Sequence, residues 1–252
     1  SAQIPTINEQ WWNDLVGWDG VSHWSEYQIH SAAFLGANAL PIPVMTDGKV
    51  NNTSALTTVG QFHFSDGDNT QNMAIYLNYN FLKDVISVDL FFVPVEFFQM
   101  SHAKKEERRV HYSNYYKTSA TGDVYLNTNF RVLSQEKNKI DMAMRIGLKT
   151  ASGDNSNPAR FTDTPGYYFD ASFGKLVGSD QNWRPYAMLG FYSWETNDDV
   201  LPQNDAVLYG FGIEYSKNKL SIKNELTGYN GYKKNGDQPS VYRLTFSKSL
   251  SR

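Results

Sequence analysis

From Lys139 to Lys149 the chain alternates without a break. Ile140, Met142, Met144, Ile146 and Leu148 fall on one side. Lys139, Asp141, Arg145 and Lys149 fall on the other, with Ala143 and Gly147 between them. A period of two over this length is a strand with different surroundings on its two faces. The ionic face is too rich for a soluble core, and the apolar face too clean for a soluble surface. A wall between lipid and a wet, polar interior satisfies both. Across the polar turn Gln135-Glu136-Lys137-Asn138 lies a second strand, so the stretch from Thr121 to Thr150 reads as a hairpin.

Composition agrees only once that wall is assumed. The mean hydropathy of -0.51 is that of a soluble protein, but strands that mix lipid-facing and lumen-facing residues average to such a value. Aromatic residues make up 15% of the 252 residues, as expected if rings gather in girdles at two membrane interfaces. A soluble, carbohydrate-binding β-protein is the alternative that composition leaves open. A net charge of -3 gives no basic surface for nucleic acid. The absence of cysteine removes disulfides and thiol chemistry. No apolar run reaches the roughly 18 residues of a membrane helix. The start Ser1-Ala2-Gln3-Ile4-Pro5 is compatible with a processed N-terminus.

Residues 1–23 do not alternate. They read as an N-terminal arm or a short amphipathic helix capped by Asn8, running through Trp11, Trp12, Leu15 and Val16 and ending near Gly17. Residues 24–252 read as one β domain. A strand is expected over Trp24–Leu35, a loop over 36–54, and a strand over Ala55–Phe64. Loops are expected at 66–71, 100–120, 151–165, 197–204 and 233–239. Short turns are expected near 83–84, 136–138, 179–182 and 217–219. Pro94 marks a strand end or bulge. From residue 121 the connections alternate short and long, the parity of a barrel with tight periplasmic turns and long external loops. About eleven strands are recognisable; an even count favours about twelve, or ten with an N-terminal plug.

In its strands, aromatics and turn parity the chain resembles bacterial outer-membrane β-barrel proteins. The resemblance implies an antiparallel, transmembrane, up-and-down barrel in the outer membrane of a Gram-negative bacterium. Lipid and lipopolysaccharide are its implied neighbours, and its role is small-solute passage or a structural or binding role in the envelope. The inward positions are then Asp89, Asp123, Arg131, Asp141, Arg145, Lys149, Asp170, Glu214, Lys223, Glu225 and Arg243. Mixed signs at neighbouring positions would pair across a narrow lumen.

Motifs for chemistry are sparse. No metal-binding histidine spacing and no nucleophile elbow occur, so no metal site is assigned. Two H-x-S stretches do occur, His63-Phe64-Ser65 and His111-Tyr112-Ser113. In a strand this spacing places both side chains on one face, about 7 Å apart, as a base and a nucleophile would need. With Asn114, the second resembles the H-x-S-N core of outer-membrane phospholipase A. By that resemblance His111 would be the base and Ser113 the nucleophile of a lipid hydrolase. Asp66-Gly67-Asp68-Asn69 and Asp154-Asn155 offer oxygens to Ca²⁺ but lack a complete loop. The cluster Lys104-Lys105-Glu106-Glu107-Arg108-Arg109 offers cations to lipopolysaccharide phosphates.

Overall fold

The computed structural model describes residues 10–111, 119–154 and 159–250. Its body is one antiparallel sheet that curls on itself. The strands are β1 (Ala55–Ser65), β2 (Asp68–Leu82), β3 (Ile86–Met100), β4 (Ser119–Ala120), β5 (Tyr125–Leu133), β6 (Asp141–Lys149), β7 (Gly166–Gly174), β8 (Trp183–Glu195), β9 (Gln203–Lys217), β10 (Leu220–Gly231) and β11 (Ser240–Lys248). Ten follow one another as hydrogen-bonded neighbours, and two-residue β4 pairs only with β3. No ladder joins β1 to β11 among the described residues. The sheet nevertheless curls far enough for Arg243 of β11 and Tyr76 of β2 to interact electrostatically.

The alternation of the sequence is the alternation of exposure. In β6, Asp141, Ala143, Arg145, Gly147 and Lys149 are buried, while Met144, Ile146 and Leu148 are exposed. The exposed apolar face continues through Phe62, Phe64, Leu77, Tyr79, Phe169, Leu189, Phe211, Leu226, Tyr242 and Phe246. The buried face holds an aromatic cluster including Tyr125, Tyr168, Tyr186, Tyr192, Trp194 and Tyr229. Glycine makes room for two of these rings. Gly147 lies opposite Tyr168 and Gly212 opposite Tyr186. A Cβ at either glycine would fall within about 2.4 Å of the facing ring, so each tyrosine lies flat against the wall.

Connections sort by end. Leu82 to Ile86, the short helix α3 (Gln135–Asn138), residues 175–182 and residues 218–219 close one end, the turn end. The connections between β3 and β5, β6 and β7, β8 and β9, and β10 and β11 lie at the other, the loop end. Two expectations differ from the structure. Residues 66–71 are no loop, because β2 begins at Asp68 and the connection is Asp66-Gly67, with Gly67 at φ +72°. Pro94 does mark a bulge, since the β2–β3 register shifts between the pairs Met73–Val95 and Ile75–Phe92. Nor is Trp24–Leu35 a strand. Trp24–Tyr27 is a single 3-10 turn, and the chain runs irregularly from there to Ala55. The sheet path thus carries ten strands, the alternative count that went with an N-terminal plug, rather than about twelve. Burial does not follow the alternation of 24–35 either, since polar Gln28 and His30 are buried while Ala33 is exposed.

Candidate functional site

The segment before β1 runs inside the sheet from the loop end to the turn end. At the loop end, helix α1 (Gln10–Val16) buries Trp12, whose Nε1 donates to the Arg109 carbonyl at 2.7 Å. Gly17 follows at φ +63°, the left-handed residue that ends many helices. Asn197 donates to the carbonyls of Ser25, Glu26 and Gln28 at 2.7 to 2.8 Å. Trp194 Nε1 donates to the His30 carbonyl at 3.0 Å.

Midway, the wall continues to donate. Tyr125 and Tyr229 hydroxyls reach the Ala39 and Leu40 carbonyls, both at 3.0 Å. Arg145 Nη1 reaches the Val44 carbonyl at 2.6 Å. At the turn end Arg184 holds Asp47, and the Asn80 amide donates to the Asn52 carbonyl at 2.7 Å. Gly48 sits at φ +84°, and a Cβ there would lie 2.7 Å from the Gly174 nitrogen. The backbone of the segment touches the backbone of the wall at that point. Buried backbone carbonyls require donors; turns within the segment serve some, as the Ala39 amide serves the Gly36 carbonyl at 3.1 Å, and side chains of the wall serve those named above.

The sequence-derived inward residues are placed as follows. Arg145 and Asp170 are directly opposed on β6 and β7 and form a buried pair at 2.7 Å. Lys149 and Asp123 pair at 2.7 Å, both buried. Asp141 pairs with Arg184 at 2.8 Å. Asp89 accepts from Asn78 and Asn129. Glu225 accepts from the Tyr186 hydroxyl at 3.0 Å. Lys223 lies 3.7 Å from Glu214. Arg243 donates to Thr227 at 2.8 Å and to the Ile42 carbonyl at 3.3 Å. Arg131 is exposed near the turn end.

Sequence reasoning missed the densest ionic cluster. Arg160, in the connection between β6 and β7, is fully buried. It donates to Glu96 from Nε at 2.8 Å, to Asp68 at 2.6 Å and to Thr70 at 2.7 Å. Arg108 adds a second guanidinium on Asp68 at 2.6 Å. Asn38 of the internal segment donates to Glu96 at 2.7 Å and to Asn72 at 3.1 Å. Gly36 packs against the Arg160 guanidinium, where a Cβ would meet it at 2.8 Å. One arginine from a loop thus clamps the wall strands β2 and β3 beside the internal segment. No repeat or motif marks Arg160. A signal did exist for the segment: Leu35, Ala39, Leu40, Ile42 and Met45 make an unusually apolar loop, and such a loop must be covered.

The hydrolase pairs are not assembled among the described residues. His63 Nε2 lies 3.2 Å from Asn72 Oδ1, and the Ser65 hydroxyl donates to the Asp68 carbonyl at 2.8 Å. His111 packs edge-on to Trp12, while Ser113 and Asn114 lie outside the described residues. The Asp68 carboxylate faces two guanidiniums, those of Arg108 and Arg160. Asp154 sits beside Asn155, which is outside the described residues. Of the basic cluster, residues His102–Glu107 form helix α2, capped by Ser101, with Lys104 and Glu107 paired at 2.6 Å.

His30 gives the segment a pH dependence. Burial, then the nearby Lys149 charge, pushes its pKa from 6.5 to about 4, against a weaker opposite pull from the Glu195 carbonyl. The unfolded chain therefore takes up a proton before the folded one does. The stabilisation is complete above about pH 6.5 and is lost as pH falls toward 4, on the order of 3 kcal/mol in all. We expect the denaturant midpoint in detergent to fall between pH 7 and 4.5, and His30→Gln to flatten that fall. Equal slopes for both proteins would refute this role.

No family model matches the sequence, and no curated protein is similar to it in sequence. Among solved structures, an outer membrane channel from Pseudomonas putida F1 superposes with a TM-score of 0.52. The match covers 83% of this chain and 87% of that one at 14% identity. The two therefore share a fold.

Proposed function

We propose that the chain is an integral outer-membrane barrel of a Gram-negative envelope that passes small solutes when residues 28–54 move aside. The observation that carries this reading is the unbroken internal segment, which spans the sheet and is held by wall donors rather than by a ladder. A structural core would have no need to run an irregular strand of chain from one end to the other.

The outer face supports the membrane half of the reading. An exposed apolar patch beyond a few hundred Å² is rare on a soluble monomer, and here apolar side chains cover the outward positions of consecutive strands. Strands of 9 to 15 residues are long enough to cross, since about 9–11 tilted residues suffice. In such a barrel phospholipid and lipopolysaccharide are the lateral partners. The turn end faces the periplasm, and the loop end, with Lys104 and Arg109, lies on the side of the outer leaflet. The fold shared with an outer membrane channel is in keeping with this reading.

Two measurements test the two halves separately. The folded chain should stay in solution only with detergent and should migrate faster on an unheated gel than after boiling. Solubility in plain buffer would end the membrane reading. In planar bilayers the intact chain should give rare, small openings, and a chain lacking residues 28–50 a steady conductance. Silence from both, with insertion verified, would leave a structural role and end the passage reading.

A further inference from the structure

We propose that the wall beneath residues 39–47 is a binding track for an elongated monocarboxylate with an apolar body. The internal segment occupies this track as a stand-in for that solute. The inference rests on the passage reading above and names the solute class.

Three features of the wall set the chemistry. The first is the polarity of its contacts. Tyr125, Tyr229, Arg243, Arg145 and Arg184 all donate to segment carbonyls, those of Ala39, Leu40, Ile42, Val44 and Asp47. A track lined with donors selects an acceptor-bearing solute. The second is a carboxylate seat at the turn end. Arg184 is 3% exposed; its Nε lies 3.0 Å from Asp47 Oδ2, and its Nη2 holds Asp141 at 2.8 Å. Its Nη1 is buried without a hydrogen-bond partner, so the seat has a donor to spare. The third is the apolar room above the seat. Met45 and Leu40 pack in the cluster of Tyr186, Met188, Leu208 and Tyr229. At Gly210 a Cβ would lie 2.7 Å from Met45 Sδ, so the glycine keeps that space open.

The resident charge sets the head group. With the segment seated, Arg184 holds two carboxylates, Asp47 and Asp141; when the segment leaves, Arg184 and Asp141 remain as a neutral pair. A monocarboxylate returns the single negative charge that Asp47 now brings, whereas a phosphate dianion would add one charge more than the site carries. Arg prefers carboxylates that can meet its planar fork of donors. The hydrocarbon body then lies where Met45 and Leu40 now lie.

The test uses the full chain in detergent, with hexanoate and the neutral hexanamide as probes. In Asp47→Asn the resident carboxylate no longer competes. We expect hexanoate to bind this variant at least tenfold tighter than it binds the wild type, with hexanamide unchanged. Adding Arg184→Gln should abolish the gain. The proposal is overturned if both probes bind D47N alike, if hexanoate shows no gain, or if the gain survives R184Q. Should the double variant not fold, the comparison of two probes on two folded proteins still decides. Bilayer currents from the same D47N protein separate the readings. Current without carboxylate preference removes the binding track and leaves passage intact; carboxylate preference without current does the reverse.

Discussion

Arg160→Gln is expected to destabilise the folded chain by about 3–5 kcal/mol, the cost of stripping one partner from a buried ionic cluster. The guanidinium serves Glu96, Asp68 and Thr70 together. Its loss leaves Glu96 with Asn38 as its remaining side-chain donor among the described residues; Arg108 still neutralises Asp68. The unfolding midpoint in denaturant, read in detergent, measures the effect. Glu96→Gln in the same chain removes the stranded charge, so the double variant should recover about half of the loss. Strictly additive losses would show that Arg160 and Glu96 do not act as a unit. Because Gly36 packs on the same guanidinium, protease cutting between residues 28 and 40 should rise in the single variant.

The second large effect is expected at the opposite end. Gly174→Val puts a Cβ 2.0 Å from the Asp47 carbonyl oxygen, a backbone atom that no rotamer change removes. Overpacking of a core costs about 1–3 kcal/mol, and a backbone clash falls at the upper end. At 3 kcal/mol the displaced form gains about a hundredfold in population. The ladder of β7 with β6 and β8 uses backbone atoms and should persist, so the faster unheated gel mobility should remain. Cleavage after Lys49 by trypsin should then rise sharply. Wild-type resistance in this variant would show that the segment does not seat where it is described.

These two positions also mark where the sequence could be read and where it could not. The wall was legible because its physics is local. Arg145 and Asp170 face inward on adjacent strands, and period-two spacing alone places each of them. Met144, Ile146 and Leu148 face outward for the same reason. What fills the wall was not legible, since it depends on which distant residues meet. Arg160 sits in a polar loop and reads as solvated until Asp68 and Glu96 are brought to it from about 65 to 90 positions away, as the buried bonds show. Trp24–Leu35 alternates like a strand but pairs with none of the described strands, although one edge of β1 has no ladder partner among them. The apolar run from Leu35 to Met45, with Pro41 and Pro43 in it, carried the one usable hint. Prolines deny it a ladder, and its hydrophobicity denies it the surface.

The placement of the internal segment has a bearing on assembly. Residue 10 stands at the mouth with the long loops, yet β1 starts at the mouth with the short turns. The rope is therefore spliced to the very ribbon that borders the seam. A finished cylinder could not be threaded afterwards without drawing that helix and its two tryptophans through a bore lined with guanidiniums. The wall must wind around the rope while the edges of the first and last ribbons are apart, and among the described residues no ladder joins those two edges.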